Sequence, residues 1–173
     1  MENLITKAEA YARQNHEGQF RKGEAQEPYV THVAEVASRV ARYGGSESAI
    51  AAAWLHDVVE DCDPEIEDIE NLFGSKVAKI VAEVTDDKSL SKQDRKARQV
   101  KNAPYKSEEA CLVKWADKIC NLLSIANSPP PWDKARKMEY IEWAREVASG
   151  LPYSTSTTRQ EFEDAIGKAL SKV

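Results

Sequence analysis

The residues best suited to catalysis form one dense cluster, His56-Asp57-Val58-Val59-Glu60-Asp61, which follows the most apolar stretch of the sequence. Residues four apart share one face of a helix, so a helix here would place His56 below Glu60 and Asp57 below Asp61. An imidazole and a carboxylate can bind the same divalent cation, and two acids on the next turn can accept a proton from a water molecule and orient it. The spacing therefore predicts metal-assisted hydrolysis, with Glu60 and Asp61 as the catalytic pair.

Two further polar residues interrupt apolar helical segments. His32 has valines around it, which suggests the middle of a helix, and Asp117 lies among apolar residues of another predicted helix. Polar groups in such positions must find partners. Convergence with His56 and Asp57 would give two nitrogens and at least two oxygens around one ion. Such a mixed set suits Mn²⁺, or alternatively Fe²⁺, better than a closed structural zinc site.

Each of these residues also has a plain structural interpretation. A single histidine on an apolar helix is usually a hydrogen-bonded core residue, and adjacent acids usually end a helix in solvent. We interpret His16, at the end of the first helix, in this structural way, and likewise Asp86 and Asp87. The shared register of His56-Asp57 and Glu60-Asp61 is what favours a functional interpretation of that cluster.

The chain has 173 residues, of which 42% are hydrophobic and 31% are charged, with a formal net charge of −5. This length predicts one domain, residues 1–173, that buries a sizeable core. Lysine and arginine are spread among the acids, so the continuous basic stripe that binds long nucleic acids is lacking. A small polyanion is still compatible with this charge, because a metal ion and a few local cations can outweigh a modest global charge.

The sequence carries no signal for a disulfide framework or a membrane segment. The three cysteines lack Cys-x-x-Cys spacing, which also argues against a cysteine zinc site. The longest wholly apolar run, Ala49 to Leu55, is far shorter than the roughly 20 residues that a membrane-spanning helix needs. The N-terminal sequence lacks the basic flank and apolar block of a secretory signal, so we expect a cytoplasmic protein. The sequence does not determine the oligomeric state.

Apolar residues recur at intervals of three and four almost everywhere, which predicts an all-α fold: a single multi-helix domain with a loop or short β-hairpin near residues 17–28. The block from Ala49 to Leu55 is apolar on nearly all sides, so its helix should be central and buried. Capping and breaking residues place the other helices. The predicted limits are 3–15, Pro28 to Gly44, Ser46 onward, Asp63-Pro64 to Gly74, Ser75 onward, 91–102, 107–126, Asp133 to Ser149, and a last helix with a Thr158–Glu161 capping box.

Four motifs in this order together resemble the HD-superfamily hydrolase domain of the Rel/Spo alarmone enzymes. The sequence shows no region resembling a synthetase or regulatory domain, so the nearest resemblance is to the stand-alone small alarmone hydrolases, including their metazoan relatives. The similarity extends from the first helix to about Trp143. The motifs are Tyr29-x-x-His32, His56 to Asp61, Val84-Thr85-Asp86-Asp87-Lys88 and Lys114-Trp115-Ala116-Asp117-Lys118-x-x-Asn121.

The resemblance implies a manganese-dependent pyrophosphohydrolase that removes the 3′-diphosphate of guanosine tetra- or pentaphosphate, giving GDP or GTP and pyrophosphate. It implies that His32, His56, Asp57 and Asp117 hold the metal, and that Glu60 and Asp61 activate and position the water. The same resemblance implies substrate contacts from Arg21, Lys22, Asn121 and, more loosely, Tyr140. By charge alone, Lys114 and Lys118 could hold further phosphate oxygens, and Arg21 could stack on a purine.

Two alternatives stay open at this point. One is an HD phosphohydrolase acting on another nucleotide, such as the 2′-phosphate of NADPH, and the other is a non-catalytic helical module that binds a nucleotide. Two features depart from the family pattern: Trp115, where an aliphatic residue is usual, and the triple proline Pro129-Pro130-Pro131. Both bear on base specificity rather than on the metal cluster.

Overall fold

The computed structural model describes residues 3–173, which contain ten α-helices and one short 3₁₀ turn. No β-strand occurs in this range, and a single antiparallel bridge between Phe20 and Pro28 is all that corresponds to the short hairpin we expected. The predicted all-α fold is confirmed. The helices are α1 Leu4–Asn15, α2 Val30–Arg42, α3 Glu47–Leu55, α4 Val58–Asp61, α5 Ile66–Phe73, α6 Ser75–Val84, α7 Lys92–Asn102, the 3₁₀ turn Ala103–Tyr105, α8 Glu108–Asn127, α9 Lys134–Gly150 and α10 Ser156–Leu170.

Helices α3 and α8 form the centre of the molecule. In α3 the alanines Ala49, Ala51, Ala52 and Ala53 are fully buried, and their small side chains allow α1, α2 and α6 to pack closely around the helix. Helix α8 is buried along most of its length and packs against α2, α10, α6 and α3. A helix that is apolar on nearly all sides must lie inside the fold, which is the position that the sequence predicts for α3.

Side-chain caps fix the starts of most helices. The hydroxyls of Ser46, Ser91 and Ser107 and the carboxylate of Asp133 each accept a backbone N–H three residues on, as the sequence predicts. Such caps satisfy backbone donors that a helix start would otherwise leave unpaired.

Two predicted helix starts are wrong. Helix α5 begins not at Asp63-Pro64 but with Glu65 as its N-cap, in a reciprocal capping box with Asp68. Helix α10 is capped by Thr155 paired with Thr158, and not by Thr158 paired with Glu161. The reason in the second case is that Glu161 is held by side chains of α2.

The predicted single helix through His56-Asp57-Val58-Val59-Glu60-Asp61 is also wrong. Helix α3 ends at Leu55 and the one-turn helix α4 begins at Val58, with Asp57 at φ −105° and ψ −3° between them. The carbonyl of Ala53, which would pair with the N–H of Asp57 in an uninterrupted helix, accepts from His56 Nδ1 at 2.6 Å. The break therefore places His56 and Asp57 in a turn.

Helix α10 is joined to α2 by one acid with three partners. The Glu161 carboxylate accepts hydrogen bonds from Arg39 Nη1 at 2.6 Å, from Arg42 Nη1 at 2.7 Å and from the Tyr43 hydroxyl. Although burial works in the opposite direction, these partners lower the pKa of Glu161. Because α2 also carries His32, this network fixes the C-terminal end of the helix that holds this ligand candidate.

We expect Glu161→Ala to lower the free energy of unfolding by about 1–3 kcal/mol, because it removes charge-assisted hydrogen bonds that are largely shielded from water. Urea unfolding measures this. Glu163→Ala, on the exposed face of the same helix, is the matched control and should change stability by less than about 0.5 kcal/mol. Equal stabilities of the two variants would contradict the role given to Glu161.

Candidate metal centre and active site

Four side chains from three separate parts of the chain converge on one point. His32 is the third residue of α2, and not in the middle of that helix as expected; His56 and Asp57 form the turn between α3 and α4, and Asp117 lies in the middle of α8. Both histidines are buried, and the two carboxylates are 13% and 14% exposed. The structure thus brings together all four residues that the sequence suggests as metal ligands.

Each imidazole Nε2 lies 3.1–3.6 Å from an oxygen of each carboxylate. His32 Nε2 is 3.1 Å from Asp117 Oδ1 and 3.6 Å from Asp57 Oδ2. His56 Nε2 is 3.1 Å from Asp57 Oδ2 and 3.5 Å from Asp117 Oδ1. Two imidazole nitrogens therefore alternate with two carboxylate oxygens around a common centre, which is the donor set that an imidazole-and-carboxylate metal site needs.

The ring of His56 is oriented for metal binding. Its Nδ1 lies 2.6 Å from the Ala53 carbonyl, so that nitrogen carries the proton. Its Nε2 is buried and has no hydrogen-bond partner among the described residues, although it faces two carboxylates. A backbone carbonyl on Nδ1 is the usual outer partner of a metal-binding histidine, because it leaves the Nε2 lone pair directed at the ion. The residues present fit a divalent cation.

Both carboxylates are held by neighbouring donors. The Tyr29 hydroxyl donates to Asp57 Oδ2 at 2.6 Å, and Asn121 Nδ2 donates to Asp117 Oδ1 at 3.2 Å. Burial, followed by the charge of Asp57, raises the pKa of Tyr29, so this phenol stays a donor. Sequence reasoning included Tyr29 only as part of a motif; its position three residues before His32 is the signal that could have identified it as an orienting residue.

The charges at this point are strongly coupled. Burial alone would raise the pKa of Asp57, but His56 and His32 lower it well below its usual range. Burial is likewise outweighed at Asp117, where His32, His56 and two lysines lower the pKa. Burial would lower the pKa of His56, yet Asp57 and Asp117 raise it well above its usual value. The two acids are therefore anionic and attract positive charge.

Glu60 and Asp61 lie next to this centre but in different surroundings. Carboxylate oxygens of Asp57, Glu60 and Asp61 lie within 4.8 Å of one another. Glu60 is half-buried, and burial, followed by the charge of Asp57, raises its pKa to about 7. Asp61 is exposed and pairs with Lys88 Nζ at 2.8 Å. Glu60 thus has the pKa of a proton acceptor for neutral pH, whereas Asp61 is a solvated, paired acid.

Three adjoining cavities extend from the metal centre. A cavity of about 190 Å³ contains His56, Asp57, Glu60 and Asp117. A second, of about 260 Å³, lies between the 17–28 loop and the end of α8, and a third, of about 620 Å³, lies between α7 and α9. Tyr140 borders all three, with its hydroxyl buried and unpaired among the described residues. The cavities form one cleft with the metal centre at its floor.

The five sequence-predicted substrate residues all border this cleft. Arg21 borders the second cavity, Lys22 the second and third, and Asn121 the first and second. Lys114 is buried beside the first cavity, and Tyr140 borders all three. Their positions therefore agree with one extended ligand that reaches from the metal centre in two directions.

The loop that carries Arg21 and Lys22 is fixed against the triple-proline segment. Ala25 N–H donates to Ser128 Oγ at 3.0 Å, and Glu24 N–H donates to the Pro129 carbonyl at 3.3 Å. A Cβ on Gly23 would lie 2.2 Å from the Ser128 carbonyl oxygen, so only glycine allows this approach. Ser128 and Pro129 thus position the loop with the basic pair, and Pro130 borders the second cavity.

Sequence reasoning missed several residues of the cleft. The third cavity is bordered by the basic residues Lys92, Arg95, Lys96 and Arg136 in addition to Lys22. These lie on helices whose charge patterns are those of solvated surfaces, so only the fold reveals that α7 and α9 face each other. The local excess of cations contrasts with the chain's net charge of −5.

Trp115, which departs from the family pattern, points away from the cleft. Its Nε1 donates to the Tyr153 carbonyl at 2.9 Å, and its ring packs edge-on against Phe162 of α10. The tryptophan therefore joins α8 to the C-terminal part of the chain and borders none of the three cavities.

A comparison with protein families and known proteins agrees with this geometry. The family model described as "HD domain" matches residues 8–144. A Drosophila melanogaster protein is 45% identical over 144 residues, covering 82% of this chain and 80% of that protein. A Xenopus tropicalis protein is 43% identical over 151 residues, covering 86% and 84%. Both relatives are named guanosine-3′,5′-bis(diphosphate) 3′-pyrophosphohydrolase MESH1.

The fold also matches a solved structure over its whole length. That structure, described by the words "A metazoan ortholog of SpoT hydrolyzes ppGpp and plays a role in starvation responses", superposes with a TM-score of 0.92 at 36% identity, covering 100% of this chain and 98% of that one. Within residues 3–173, no helix is long and apolar enough to cross a membrane. By sequence and by fold, the chain belongs to the HD-domain family, in the same group as the MESH1 proteins.

Proposed function

We propose that this chain is a guanosine-3′,5′-bis(diphosphate) 3′-pyrophosphohydrolase that uses Mn²⁺ and acts on guanosine tetra- or pentaphosphate. The observation that carries the proposal is the convergence of His32, His56, Asp57 and Asp117 on one point, beside a carboxylate whose pKa is about 7. The names of the MESH1 relatives support the substrate. The mixed nitrogen and oxygen donors support Mn²⁺, or alternatively Fe²⁺.

The reaction breaks the ester bond between the ribose 3′-oxygen and the adjacent phosphorus. A water molecule supplies the oxygen that ends on the released pyrophosphate, while the ribose 3′-oxygen takes up a proton and leaves as the 3′-hydroxyl of GDP or GTP. The two histidines and two aspartates would hold the cation, which when bound neutralises phosphate charge and lowers the pKa of water. Glu60 accepts the proton of the attacking water, because its carboxylate is adjacent to the ligands and its pKa is close to neutral. Asp61, paired with Lys88, orients that water.

Different walls of the cleft would contact different parts of the substrate. Arg21 and Asn121 border the cavity that would receive the guanosine, and the Arg21 guanidinium can stack on the base. Lys114 reaches the diphosphate beside the metal centre. Lys22 borders the cavity between α7 and α9, whose cations would hold the phosphates at the far end of the nucleotide. Burial and the nearby Lys114 lower the pKa of Lys118 to about 7.

One further observation argues against the non-catalytic alternative. A helical module that only binds a nucleotide has no need of a half-buried acid whose pKa is near neutrality beside the metal ligands, and burying one is costly.

The three cysteines, Cys62, Cys111 and Cys120, are free thiols, which suits the reducing cytoplasm in which we propose that the protein acts.

We expect His56→Ala and Asp57→Ala to lose Mn²⁺ and turnover together, whereas Glu60→Gln keeps Mn²⁺ and turns over poorly. Removal of a direct ligand should weaken Mn²⁺ binding by more than the roughly 10–100-fold typical of an outer partner. Calorimetric Mn²⁺ titration and pyrophosphate release measure the two effects. Equal loss of Mn²⁺ in all three variants would contradict the roles assigned.

A nucleotide panel identifies the substrate. Metal-stripped protein is supplied with Mn²⁺ and incubated with guanosine tetraphosphate, guanosine pentaphosphate or NADPH, and the product is identified as pyrophosphate or phosphate. We expect pyrophosphate from the guanosine compounds, with no turnover in the Asp57→Ala control. Phosphate released from NADPH alone would favour the broader phosphohydrolase, and binding without any product would favour the non-catalytic module.

Glu60 should make the metal-free protein less stable at neutral and higher pH. The pKa of Glu60 is raised from the usual 4.5 to about 7, so folding disfavours the ionised carboxylate. The resulting loss of folding free energy grows between pH 4.5 and pH 7 and is complete above pH 7. The shift corresponds to on the order of 3 kcal/mol. We therefore expect metal-free Glu60→Gln to unfold at higher urea concentration than the wild type at pH 8, with the difference vanishing near pH 4.5.

Glu163→Gln, which removes an exposed acid from α10, controls for the loss of one negative charge. If Glu60→Gln is no more stable than this control at pH 8, Glu60 ionises in the folded protein without a free-energy cost. Its pKa would then not be raised, and the argument for Glu60 as the proton acceptor would fail.

A further inference from the structure

The carboxylate of Glu60 is held by a backbone group from a distant turn. Its Oε1 accepts the N–H of Asp86 at 2.8 Å, and Asp86 lies two residues after the end of α6. A backbone N–H can orient a carboxylate only as well as its own turn is fixed. Asp86 therefore holds Glu60 in addition to following a helix end, which is all that the sequence indicates for it.

Gln99 of α7 fixes that turn. Its Nε2 donates to Asp86 Oδ2 at 2.6 Å, and its Oε1 accepts from Lys118 Nζ at 3.2 Å. Lys118 is itself buried on α8, with Nζ 3.6 Å from the centre of the Trp143 ring. A continuous series of hydrogen bonds therefore runs from the central helix through Gln99 and Asp86 to Glu60.

The amide of Gln99 can make both contacts because it carries a donor and an acceptor. Lys118 donates to Gln99, and the Asp86 carboxylate can only accept. A carboxylate at position 99 would face the Asp86 carboxylate, and a lysine or arginine there would face Lys118. The amide accepts from the lysine and donates to the carboxylate, so it matches both neighbours at once.

The location of Gln99 favours a role in the cleft over a role in the core. None of the residues of α7 is fully buried, so this helix adds little to the apolar core. Gln99 borders both the metal cavity and the basic cavity between α7 and α9. Its contacts therefore connect the walls of the cleft. We would expect a residue that only stabilises the fold to lie in the apolar core.

We propose that Gln99 is a positioning residue, which acts through Asp86 to hold the Glu60 carboxylate beside the metal ligands. This inference rests on the proposed function, in which Glu60 accepts the proton of the attacking water. Gln99 need not contact the reacting atoms. It sets the direction from which the N–H of Asp86 reaches Glu60, and through it the direction of the free carboxylate oxygen.

Gln99→Met removes both hydrogen bonds and keeps a side chain of similar length. With Mn²⁺ and guanosine tetraphosphate, we expect kcat to fall by about 10–100-fold, the usual effect of a misplaced catalytic group or of a lost outer partner. KM and the Kd for Mn²⁺ should stay within about threefold, because the ligands are untouched. Gln160→Met, which removes a hydrogen bond on the exposed face of α10, is the matched control and should keep the wild-type kcat.

Asp86 provides a rescue test of the same series. Asp86→Ala retains the backbone N–H and loses the bond to Gln99, so its kcat should fall as in Gln99→Met. Asp86→Asn can still accept from Gln99 and should recover most of that loss. The double variant Gln99→Met/Asp86→Ala should be no slower than either single variant, because both changes break one link. A full kcat in Asp86→Ala, additive losses, or a rise in KM in place of the fall in kcat would overturn the proposal.

Amide hydrogen exchange tests the inference without turnover. In the metal-free protein, Gln99→Met should speed exchange of the Asp86 amide at least about tenfold, while amides in the middle of α8 keep their protection. Unchanged protection of the Asp86 amide would refute the inference even in an active enzyme. If the wild type released no product from any guanosine nucleotide, the proposed function would fail, whereas exchange would still report whether Gln99 fixes the turn.

Discussion

The arrangement of this molecule depends on two buried carboxylates that need positive charge beside them. Asp57 and Asp117 approach the same two imidazoles at 3.1–3.6 Å, and both stay anionic although burial alone would favour their neutral forms. Two like charges in so small a space are unfavourable unless cations separate them. In the metal-free protein the histidines and the nearby lysines meet that need, and a divalent ion would meet it more fully.

The helical scaffold serves to bring these charges together and to keep water from most of them. Helix α8 supplies Asp117 from the buried centre, α2 supplies His32 from its first turn, and the break between α3 and α4 directs His56 and Asp57 to the same point. Helix α7, which has no buried residue, and one face of α9 form the basic wall of the cleft. A chain with a net charge of −5 can therefore present a locally cationic surface to a polyanion.

Much of the fold and of the metal centre could be predicted from the sequence, because these features depend on local patterns of residues. Apolar periodicity and capping residues predicted most of the helices. The His56–Asp61 cluster, together with two polar residues within apolar helical segments, identified the four ligand candidates. What could not be predicted depends on contacts between distant residues. The sequence does not reveal that His56 would bond to Ala53 and break the helix, that Glu161 would turn to α2, or that Asp86 would reach Glu60. Each requires knowing which helices are neighbours.

The position of a bound ion tests the central claim most directly. A crystal structure of the Mn²⁺-loaded protein, with anomalous data collected at the manganese edge, locates that ion independently of any activity. We expect one strong peak, ligated by Nε2 of His32, Nε2 of His56 and carboxylate oxygens of Asp57 and Asp117. A peak instead among Asp57, Glu60 and Asp61, which also offer clustered oxygens, would contradict the account, since Glu60 would then be a ligand and no longer available as the proton acceptor.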